Sequence, residues 1–337
     1  MMKKYLIISF SSLMWTLFIT GCALFQPAQN PDFQLRRFEA PEGWGYMDSS
    51  DGTVAIKPQF RSAWDFSCGL ARIREGGLFG LYGYIDKSGT CTIKPQFKEA
   101  WDFSCGLARV KIEGRYGYID QGGRLVIPAT YKDAYDFSNG LARFRENGLY
   151  GYLDKSGNLA IAPQFKDCGD FSEELAVISL ERKDGYIDKK GRIIINPQFE
   201  NAQPFSEGLA AVSVNELFGY IGNDGRFVIS PQFKDASRFS EGLAAVRIGD
   251  RKGFVDCNGV LAIKPQYQDA GSFSEGLAKV RMDRLYGYID RSGAYLVNPR
   301  FREAGDFKNG RAAVRGADGK THIIDCSGHI VTPLSKE

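Results

Sequence analysis

The side chains that could perform catalysis are few in this chain and are poorly grouped. His322 and His329 are the two histidines, and both lie near the C-terminal end. A Ser-His-Asp or Cys-His nucleophile system has little to build on without another histidine. We interpret the pair as surface residues in preference to metal ligands. The sequence therefore predicts no catalytic residue and no cofactor.

The seven cysteines give no sign of a metal site. No Cys-x-x-Cys pair occurs, which argues against zinc. Cys68 and Cys105 share the same surroundings, and a disulfide between them needs Cα atoms within about 7 Å. Strands stacked ~4.8 Å apart would allow this, whereas neighbouring propeller blades would not. We expect buried free thiols, and the sequence leaves the disulfide state open for Cys68, Cys91, Cys105, Cys168, Cys257 and Cys326.

The carboxylates recur too regularly to mark one active site. Acidic pairs three residues apart, such as Asp133 and Asp136, could serve a glycosidase, but their recurrence favours a solvated face. Asp-x-x-Gly also recurs, for example at Asp86 and Asp154. One carboxylate per turn falls far short of the six to eight oxygen ligands of calcium. These aspartates are predicted to form turns, and no metal site is expected.

A column of aromatic residues is the strongest candidate for a binding surface. Aromatic side chains stack on sugars and anchor protein partners. We expect strand alternation to place this column on the face opposite the core tyrosines. Its interruption by Asp184 and Lys252 suggests partial exposure, and a second buried face is the alternative. The candidate residues are Trp44, Tyr82, Tyr116, Tyr150, Phe218 and Tyr286.

These positions recur because the chain is built from one repeated unit of about 34 residues. The spacing between copies is constant after the first one, which is slightly longer. A fixed period of this size marks one supersecondary unit used many times, which builds a broad surface. Copies of Gly-Tyr-Ile-Asp begin at Gly45, Gly83, Gly117, Gly151, Gly185, Gly219, Gly253 and Gly287, with a degraded ninth copy at Thr321.

Each unit contains three short runs of apolar residues, as at 218–221, 227–229 and 243–248. Their length and their β-branched and aromatic content predict strands. Asp-x-x-Gly between the first two predicts a tight hairpin, and a proline ends the second strand. The unit is therefore predicted to be an antiparallel meander plus a connecting segment, with three aromatic columns in the core, represented by Tyr220, Phe233 and Phe239.

The predicted fold class is all-β, as a β-propeller-like ring or an open β-solenoid stack. The rigid period and the lack of an obvious polar cap favour the ring. Two observations oppose it. A propeller blade usually has four strands, for which a unit of this length is short, and the chain has nine Gly-Tyr-Ile-Asp copies against eight Phe-Ser-x-Gly-Leu-Ala copies. We favour the ring and keep the stack open.

The N-terminal segment has the features of an export signal. Lys3 and Lys4 precede an apolar run at 5–20, which is followed by Ile-Thr-Gly-Cys ending at Cys22. This sequence resembles the lipobox of bacterial lipoproteins. The resemblance implies cleavage before Cys22 and acylation of that cysteine, and Ala23 after it fits outer-membrane sorting if the host has two membranes. Residues 1–21 are thus predicted to be a signal peptide and residues 22–35 a flexible tether.

The repeat resembles the bacterial WG-repeat (KWG-like) family over residues 43–333. The shared pattern is an aromatic residue before Gly-Tyr-Ile-Asp, then Pro-Gln-Phe, then Phe-Ser-Glu-Gly-Leu-Ala. The Trp that names the family survives only at Trp44. The resemblance implies β-rich tandem repeats without shared catalytic residues, and it extends the predicted repeat domain over residues 36–337.

Composition narrows the function further. The chain has 43 basic and 40 acidic residues, and removing residues 1–21 takes away two lysines and leaves 41 basic residues. This near balance gives no reason to expect nucleic-acid binding. We expect a non-enzymatic protein, lipid-anchored in a bacterial cell envelope, that presents a surface to a protein partner. The alternative is a module that binds carbohydrate or cell-wall glycan.

Overall fold

The computed structural model describes residues 35–48, 52–76 and 80–331, in which all regular elements are β-strands. The predicted signal peptide, Cys22 and the predicted tether up to residue 34 lie outside the described residues. Within them, no helix is long and apolar enough to cross a membrane. The strands form nine antiparallel sheets, which are the blades of one β-propeller ring. The predicted ring is confirmed, and the open stack is wrong.

The blades follow one another along the chain. The first blade contains β1 (Leu35–Ala40), β2 (Gly43–Asp48) and β3 (Val54–Phe60). The second contains β4 (Ser62–Ser67), β5 (Leu70–Glu75), β6 (Leu81–Asp86) and β7 (Cys91–Phe97). The third contains β8 (Glu99–Ala100), β9 (Ala108–Ile112), β10 (Arg115–Ile119) and β11 (Leu125–Tyr131). The fourth contains β12 (Asp133–Ser138), β13 (Leu141–Glu146), β14 (Leu149–Leu153) and β15 (Leu159–Phe165).

The remaining blades repeat this order. The fifth contains β16 (Asp167–Cys168), β17 (Leu175–Leu180), β18 (Lys183–Asp188) and β19 (Ile193–Phe199). The sixth contains β20 (Asn201–Ala202), β21 (Ala210–Val214), β22 (Leu217–Ile221) and β23 (Phe227–Phe233). The seventh contains β24 (Asp235–Ala236), β25 (Leu243–Ile248), β26 (Arg251–Asp256) and β27 (Leu261–Tyr267). The eighth contains β28 (Asp269–Ala270), β29 (Leu277–Met282), β30 (Leu285–Asp290) and β31 (Tyr295–Phe301), and the ninth β32 (Glu303–Ala304), β33 (Arg311–Arg315) and β34 (Thr321–Asp325).

Four strands fit into one repeat because the innermost one is very short. In six of the nine blades it pairs over two residues and continues through an isolated bridge such as Ser240↔Leu243. The sequence pattern did not predict this strand, since two residues carry no period. The three longer strands match the predicted meander, except that the strand predicted to end at the proline runs through it, as β23 does through Pro231 to Phe233. The fourth strand forms the outer edge of the blade, where Phe227 and Val228 are exposed and Ile229 is buried.

The sequence repeat and the blade are out of phase. Gly-Tyr-Ile-Asp forms the third strand of a blade, so each sequence repeat ends in the next blade. β1 supplies the second strand of the first blade, and Phe38 lies opposite Gly45 as Ile73 lies opposite Gly83. β1 is therefore a divergent ninth copy of the Leu-Ala strand. The unequal copy numbers, taken as an argument against a ring, are resolved by this strand.

The glycine of Gly-Tyr-Ile-Asp is required by the neighbouring strand. In the sixth blade, Phe218 pairs with Phe233 but Tyr220 pairs with Ile229, so the fourth strand bulges over Gly219. A Cβ atom at Gly219 would lie 2.5 Å from the carbonyl oxygen of Ile229 and 2.7 Å from the nitrogen of Pro231. The bulge carries the proline, which also keeps this outer edge from accepting a further strand.

The hydrophobic core lies between the blades. Each cluster joins one face of a blade to the next blade, as Leu209, Tyr220 and Phe233 do with Phe239 and Ala244. The three predicted aromatic columns are confirmed, with Tyr131 alone among them only half-buried. The core tyrosines are satisfied by hydrogen bonds. The hydroxyl of Tyr220 donates to the carbonyl of Ser237 in the next blade (2.7 Å), and burial raises its pKa.

A series of hydrogen bonds beside the innermost strands also joins the blades. The hydroxyl of Ser206 donates to the carbonyl of Phe239 in the next blade at 2.8 Å. Seven serines make this contact: Ser67, Ser104, Ser138, Ser172, Ser206, Ser240 and Ser274. At the eighth position Lys308 replaces serine, and its ammonium group reaches Asp65 of the second blade (2.9 Å). This contact closes the ring.

Candidate functional site

The candidate site begins with three side chains on one face of the second blade. Trp64 lies on β4, Arg72 on β5 and Tyr82 on β6. The guanidinium carbon of Arg72 is 4.1 Å from the centre of the Trp64 ring and 5.6 Å from that of Tyr82. The two rings are 5.5 Å apart. Each guanidinium is held against an aromatic ring by cation–π attraction and contact area.

The same group recurs in the next two blades, and we call the three groups the aromatic–arginine arc. Arg109 lies 4.0 Å from the Trp101 ring, and Arg143 lies 4.0 Å from the Tyr135 ring. The arc therefore consists of Trp64, Arg72 and Tyr82, of Trp101, Arg109 and Tyr116, and of Tyr135, Arg143 and Tyr150. Its aromatic side chains are all half-buried.

Each arginine of the arc also reaches the next blade. Arg72 donates to the carbonyl of Ala100 and lies 3.2 Å from a carboxylate oxygen of Asp102. Burial raises the pKa of Asp102, and the charge of Arg72 opposes this effect. The corresponding pairs are Arg109 with Asp136 (3.1 Å) and Arg143 with Asp170 (3.3 Å). The arc thus presents aromatic rings and carboxylates held in place by largely buried arginines.

The expected position of the aromatic column needs correction. Tyr82 and the core residue Tyr84 are two positions apart, so strand alternation places them on the same face. Tyr82 packs against the cluster that contains Tyr84, and Tyr150 and Tyr286 do the same beside Tyr152 and Tyr288. The prediction of an opposite face is wrong. The column instead extends the interface between blades to the surface.

The two residues that interrupt the aromatic column, Lys252 and Asp184, have partners within the protein. Lys252 is 9% exposed, and its ammonium group lies 3.0 Å from Asp235 and 3.2 Å from Asp269 in the next blade. Asp184 accepts hydrogen bonds from the hydroxyl of Ser179 (2.5 Å) and the N–H of Ala202 (2.9 Å). The partial exposure inferred for the column is confirmed, since its six aromatic side chains are all half-buried: Trp44, Tyr82, Tyr116, Tyr150, Phe218 and Tyr286. Lys252 itself is buried, and its salt bridges replace aromatic packing there.

The arc occupies one part of the ring. Val177, Ala211 and Ala245 stand at the arginine position in the fifth to seventh blades. Trp44 in the first blade lies 5.3 Å from Arg37, while Phe218 and Tyr286 lie outside the arc. The sequence pattern predicted Tyr82, Tyr116 and Tyr150 but not Trp64, Trp101 and Tyr135. Two patterns in the sequence could have identified these three residues. They recur at one position of the repeat, and an arginine follows Leu-Ala in the same three repeats.

The other candidate groups have structural partners. His322 Nε2 lies 3.0 Å from Asp318, and His329 Nδ1 lies 3.7 Å from Asp325. The Asp86 carboxylate accepts hydrogen bonds from the N–H groups of Ser88 and Thr90, as expected of a turn. In the part of the chain that the structure describes, no three His, Cys, Asp or Glu residues are grouped to hold a metal.

The six cysteines of the propeller form no disulfide with one another. Cys68 and Cys105 lie in adjacent blades, in the turns between the first and second strands. Of the expected buried thiols, Cys168 is buried, and burial raises its pKa to about 11. Cys68 and Cys91 are exposed, which corrects the prediction for them.

Comparisons with known proteins agree with this architecture. The model of the WG containing repeat matches residues 44–79, 82–116, 116–150, 150–183, 185–217, 218–251, 253–286 and 286–320. A search of curated proteins gives no significant match. A eukaryotic initiation factor structure is similar in fold, with TM-score 0.60 and 11% identity over 88% of this chain and 94% of that one.

Two further solved structures are less similar. Hsv2p of Kluyveromyces lactis has TM-score 0.42 and 10% identity, over 65% of this chain and 89% of that one. BamB from Moraxella catarrhalis has TM-score 0.36 and 12% identity, over 87% and 94%. At these identities the likeness concerns the fold alone. The eight matched repeats cover most of the sequence, and the chain belongs to the WG containing repeat family.

Proposed function

We propose that this protein is a non-enzymatic scaffold, lipid-anchored in a bacterial cell envelope, that binds a protein partner through the aromatic–arginine arc. The arc is the observation that carries the proposal. Trp, Tyr and Arg are the residues that most often dominate protein interfaces. Here they are held rigid between blades, so binding costs little side-chain entropy.

The charge of the arc favours a protein partner. Half-exposed carboxylates of Asp102, Asp136 and Asp170 border the aromatic rings. Their neighbouring arginines are 11–17% exposed, so the acids are the charges presented to solvent. A partner with basic and apolar side chains fits this combination.

Leu35, the first described residue, and the arc lie at opposite ends of their blades. Leu35 pairs with Asp48, at the end of the blade that carries the Asp-x-x-Gly turns. Tyr82 is the second residue of the third strand of its blade and lies at the other end. Residues 23–34 connect Cys22 to Leu35, and a random-coil chain of this length spans roughly 20 Å. We expect acylation of Cys22 to leave the arc accessible, because the chain enters the ring at the opposite end of the blade.

Glycan binding is the second candidate, because Trp64 and Trp101 recur as a ladder of half-exposed rings. The guanidinium groups that cover one face of each ring leave less area for stacking on a sugar. We therefore favour protein binding over glycan binding.

Cross-linked affinity capture of the tagged mature protein tests the function. The arc variant replaces Trp64, Trp101 and Tyr135 with Leu, which keeps apolar contacts. The matched control replaces Leu159, Val228 and Leu296 with Ser; these side chains are 58%, 52% and 48% exposed on the outer strands. We expect the wild type and the control to capture the same protein, and the arc variant to lose it while it remains folded.

Two results would argue against this proposal. Equal capture by the arc variant would place the partner surface elsewhere. Recovery of peptidoglycan or another glycan without protein would favour the carbohydrate-binding alternative. The anchor is tested separately by Cys22→Ala, which we expect to move the protein from the membrane fraction to the soluble fraction and to abolish the acylated N-terminal peptide in mass spectra.

A further inference from the structure

The junction between the ninth and first blades differs from the other junctions of the ring. Hydrophobic clusters of buried residues join all eight consecutive pairs of blades from the first to the ninth. None of these clusters spans the ninth and first blades in the described part of the chain. The ring therefore closes without the apolar core that holds its other blades together.

Two arginines replace the core residues at this junction. At the preceding junction, Leu277 of the eighth blade and Ala312 of the ninth belong to one cluster. The equivalent positions here are Arg311, which pairs with Asp325 as Leu277 pairs with Asp290, and Arg36, which pairs with Met47. The leucine and alanine positions that share one cluster at the preceding junction are thus both occupied by arginines here.

The two guanidinium groups are incompletely paired. Arg36 Nε and Arg311 Nη1 are buried and have no hydrogen-bond partner among the residues that the structure describes. Burial, and then the charge of Arg311, lowers the pKa of Arg36 to about 10. Burial also lowers the pKa of Arg311, against the attraction of Asp325. The Asp325 carboxylate already accepts hydrogen bonds from the N–H groups of Ser327 and His329.

Buried Nε atoms without a hydrogen-bond partner among the described residues also occur in Arg72, Arg109, Arg143 and Arg281. The first three of these arginines differ from Arg36 because each lies 3.1–3.3 Å from a carboxylate oxygen of the next blade. Arg143 crosses its junction onto Asp170 (3.3 Å) and the carbonyl of Cys168, and Lys308 near the closing junction reaches Asp65. Arg36 has no carboxylate among the groups that shift its pKa. Two partly buried like charges with unpaired N–H groups are unfavourable unless an anion lies between them.

We propose that the junction between the ninth and first blades binds an oxyanion, a carboxylate or a phosphate group, between Arg36 and Arg311. Guanidinium groups suit such ligands because their planar N–H donors match the oxygens of carboxylate and phosphate. The bound anion removes the repulsion and joins the two ends of the ring. The ligand thereby stabilises the closed propeller in place of the missing apolar cluster.

Thermal unfolding of the mature protein in sodium chloride, sodium phosphate or sodium acetate, at equal ionic strength, tests this site. We expect phosphate, acetate or both to raise the melting temperature of the wild type by about 2–4 °C above chloride. A response to only one of them identifies the class of ligand. The R36Q/R311Q variant should lose the response and should be at least as stable as the wild type in chloride.

Arg143→Gln is the matched control, because it removes an arginine that already has a carboxylate partner. It should lower the melting temperature in all three salts and keep the response to the anion. A response that persists in R36Q/R311Q would overturn the proposal. So would a wild type whose melting temperature is the same in all three salts.

Discussion

The ammonium group of Lys308 lies 2.9 Å from a carboxylate oxygen of Asp65, across 243 residues of sequence. The pair joins the ninth blade to the second, past the inner edge of the three-stranded first blade. Elsewhere in the ring a serine at the position of Lys308 bonds to the adjacent blade. The longer side chain of Lys308 spans the larger distance between the ninth and second blades. An ion pair therefore contributes to ring closure.

Replacing Lys308 with Ala should weaken this closure in a salt-dependent way. The two side chains are 61% and 43% exposed, so we expect a loss of about 0.2–1 kcal/mol in the free energy of unfolding at low salt. The loss should nearly vanish in about 1 M salt, where the Debye length is ~3 Å. Denaturant unfolding at two salt concentrations measures it.

Lys234→Ala is the control for this prediction. Lys234 is 60% exposed and lies 3.8 Å from Asp250 within its own blade, so it has no role in closure. Its removal should cost less at low salt than the removal of Lys308. A loss at Lys308 that is equally large at both salt concentrations would contradict an ionic closure.

Gly219→Ala should be severely destabilising. The added Cβ would collide with the backbone of the bulged fourth strand, which cannot move without breaking its pairing with the third strand. We expect a loss of ~3 kcal/mol or more. Gly208→Ala is the matched control, because Gly208 has φ +80 and a Cβ added there would have no atom within 4 Å; it should cost only ~1–2 kcal/mol. Equal losses would disprove the steric role of the bulge.

Phe239→Ala should remove a central contact between the sixth and seventh blades. The ring of Phe239 is 2% exposed and lies 4.7 Å from the ring of Tyr220. Truncation of such a side chain leaves a cavity and should cost ~3–5 kcal/mol in denaturant unfolding. Phe227→Ala, at a residue that is 40% exposed, should cost about 1 kcal/mol or less. An unchanged melting curve for Phe239→Ala would refute the assignment of this column to the core.

The Asp-x-x-Gly turns should make stability fall on acidification. Asp86 accepts a hydrogen bond from the Ser88 hydroxyl, and Asp290 accepts one from the Ser292 hydroxyl. Asp120 accepts one from the backbone N–H of Arg124. These hydrogen bonds lower the pKa of each aspartate. This stabilisation is fully present above the unfolded pKa of about 3.9 and is lost as the pH falls through the folded pKa. A triple Asp→Asn variant should therefore lose less stability between pH 6 and pH 2, as measured by thermal unfolding.

Asp102 and Asp136 should act in the opposite direction. Burial raises the pKa of both groups, so the folded protein holds these protons more tightly than the unfolded chain. Protonation as the pH falls through the raised pKa therefore favours the folded state. The D102N/D136N variant should lack this gain and show a steeper loss on acidification than the wild type. A shallower loss would reverse the assigned sign.

Residues with a local pattern were predicted well. Tyr220, Phe233 and Phe239 recur at fixed positions in strand-length apolar runs, so their burial followed from periodicity. The inner strand at 201–202 is too short to show a period, and its absence from the prediction made four strands seem too many for one repeat. Trp64 was missed as part of the site because its partner Arg72 lies on another strand of the blade.

The sequence by itself determined the repeating unit, its hairpin turns and its aromatic core, because strand alternation and turn chemistry act over a few residues. The tertiary structure decided how the ends meet. β1 supplies the second strand of the first blade. Lys308 reaches Asp65, and Arg311 comes close enough to Arg36 for its charge to act on that side chain. These contacts join residues more than 240 positions apart, and no local pattern encodes them, since they arise only when nine similar units curve into a closed ring.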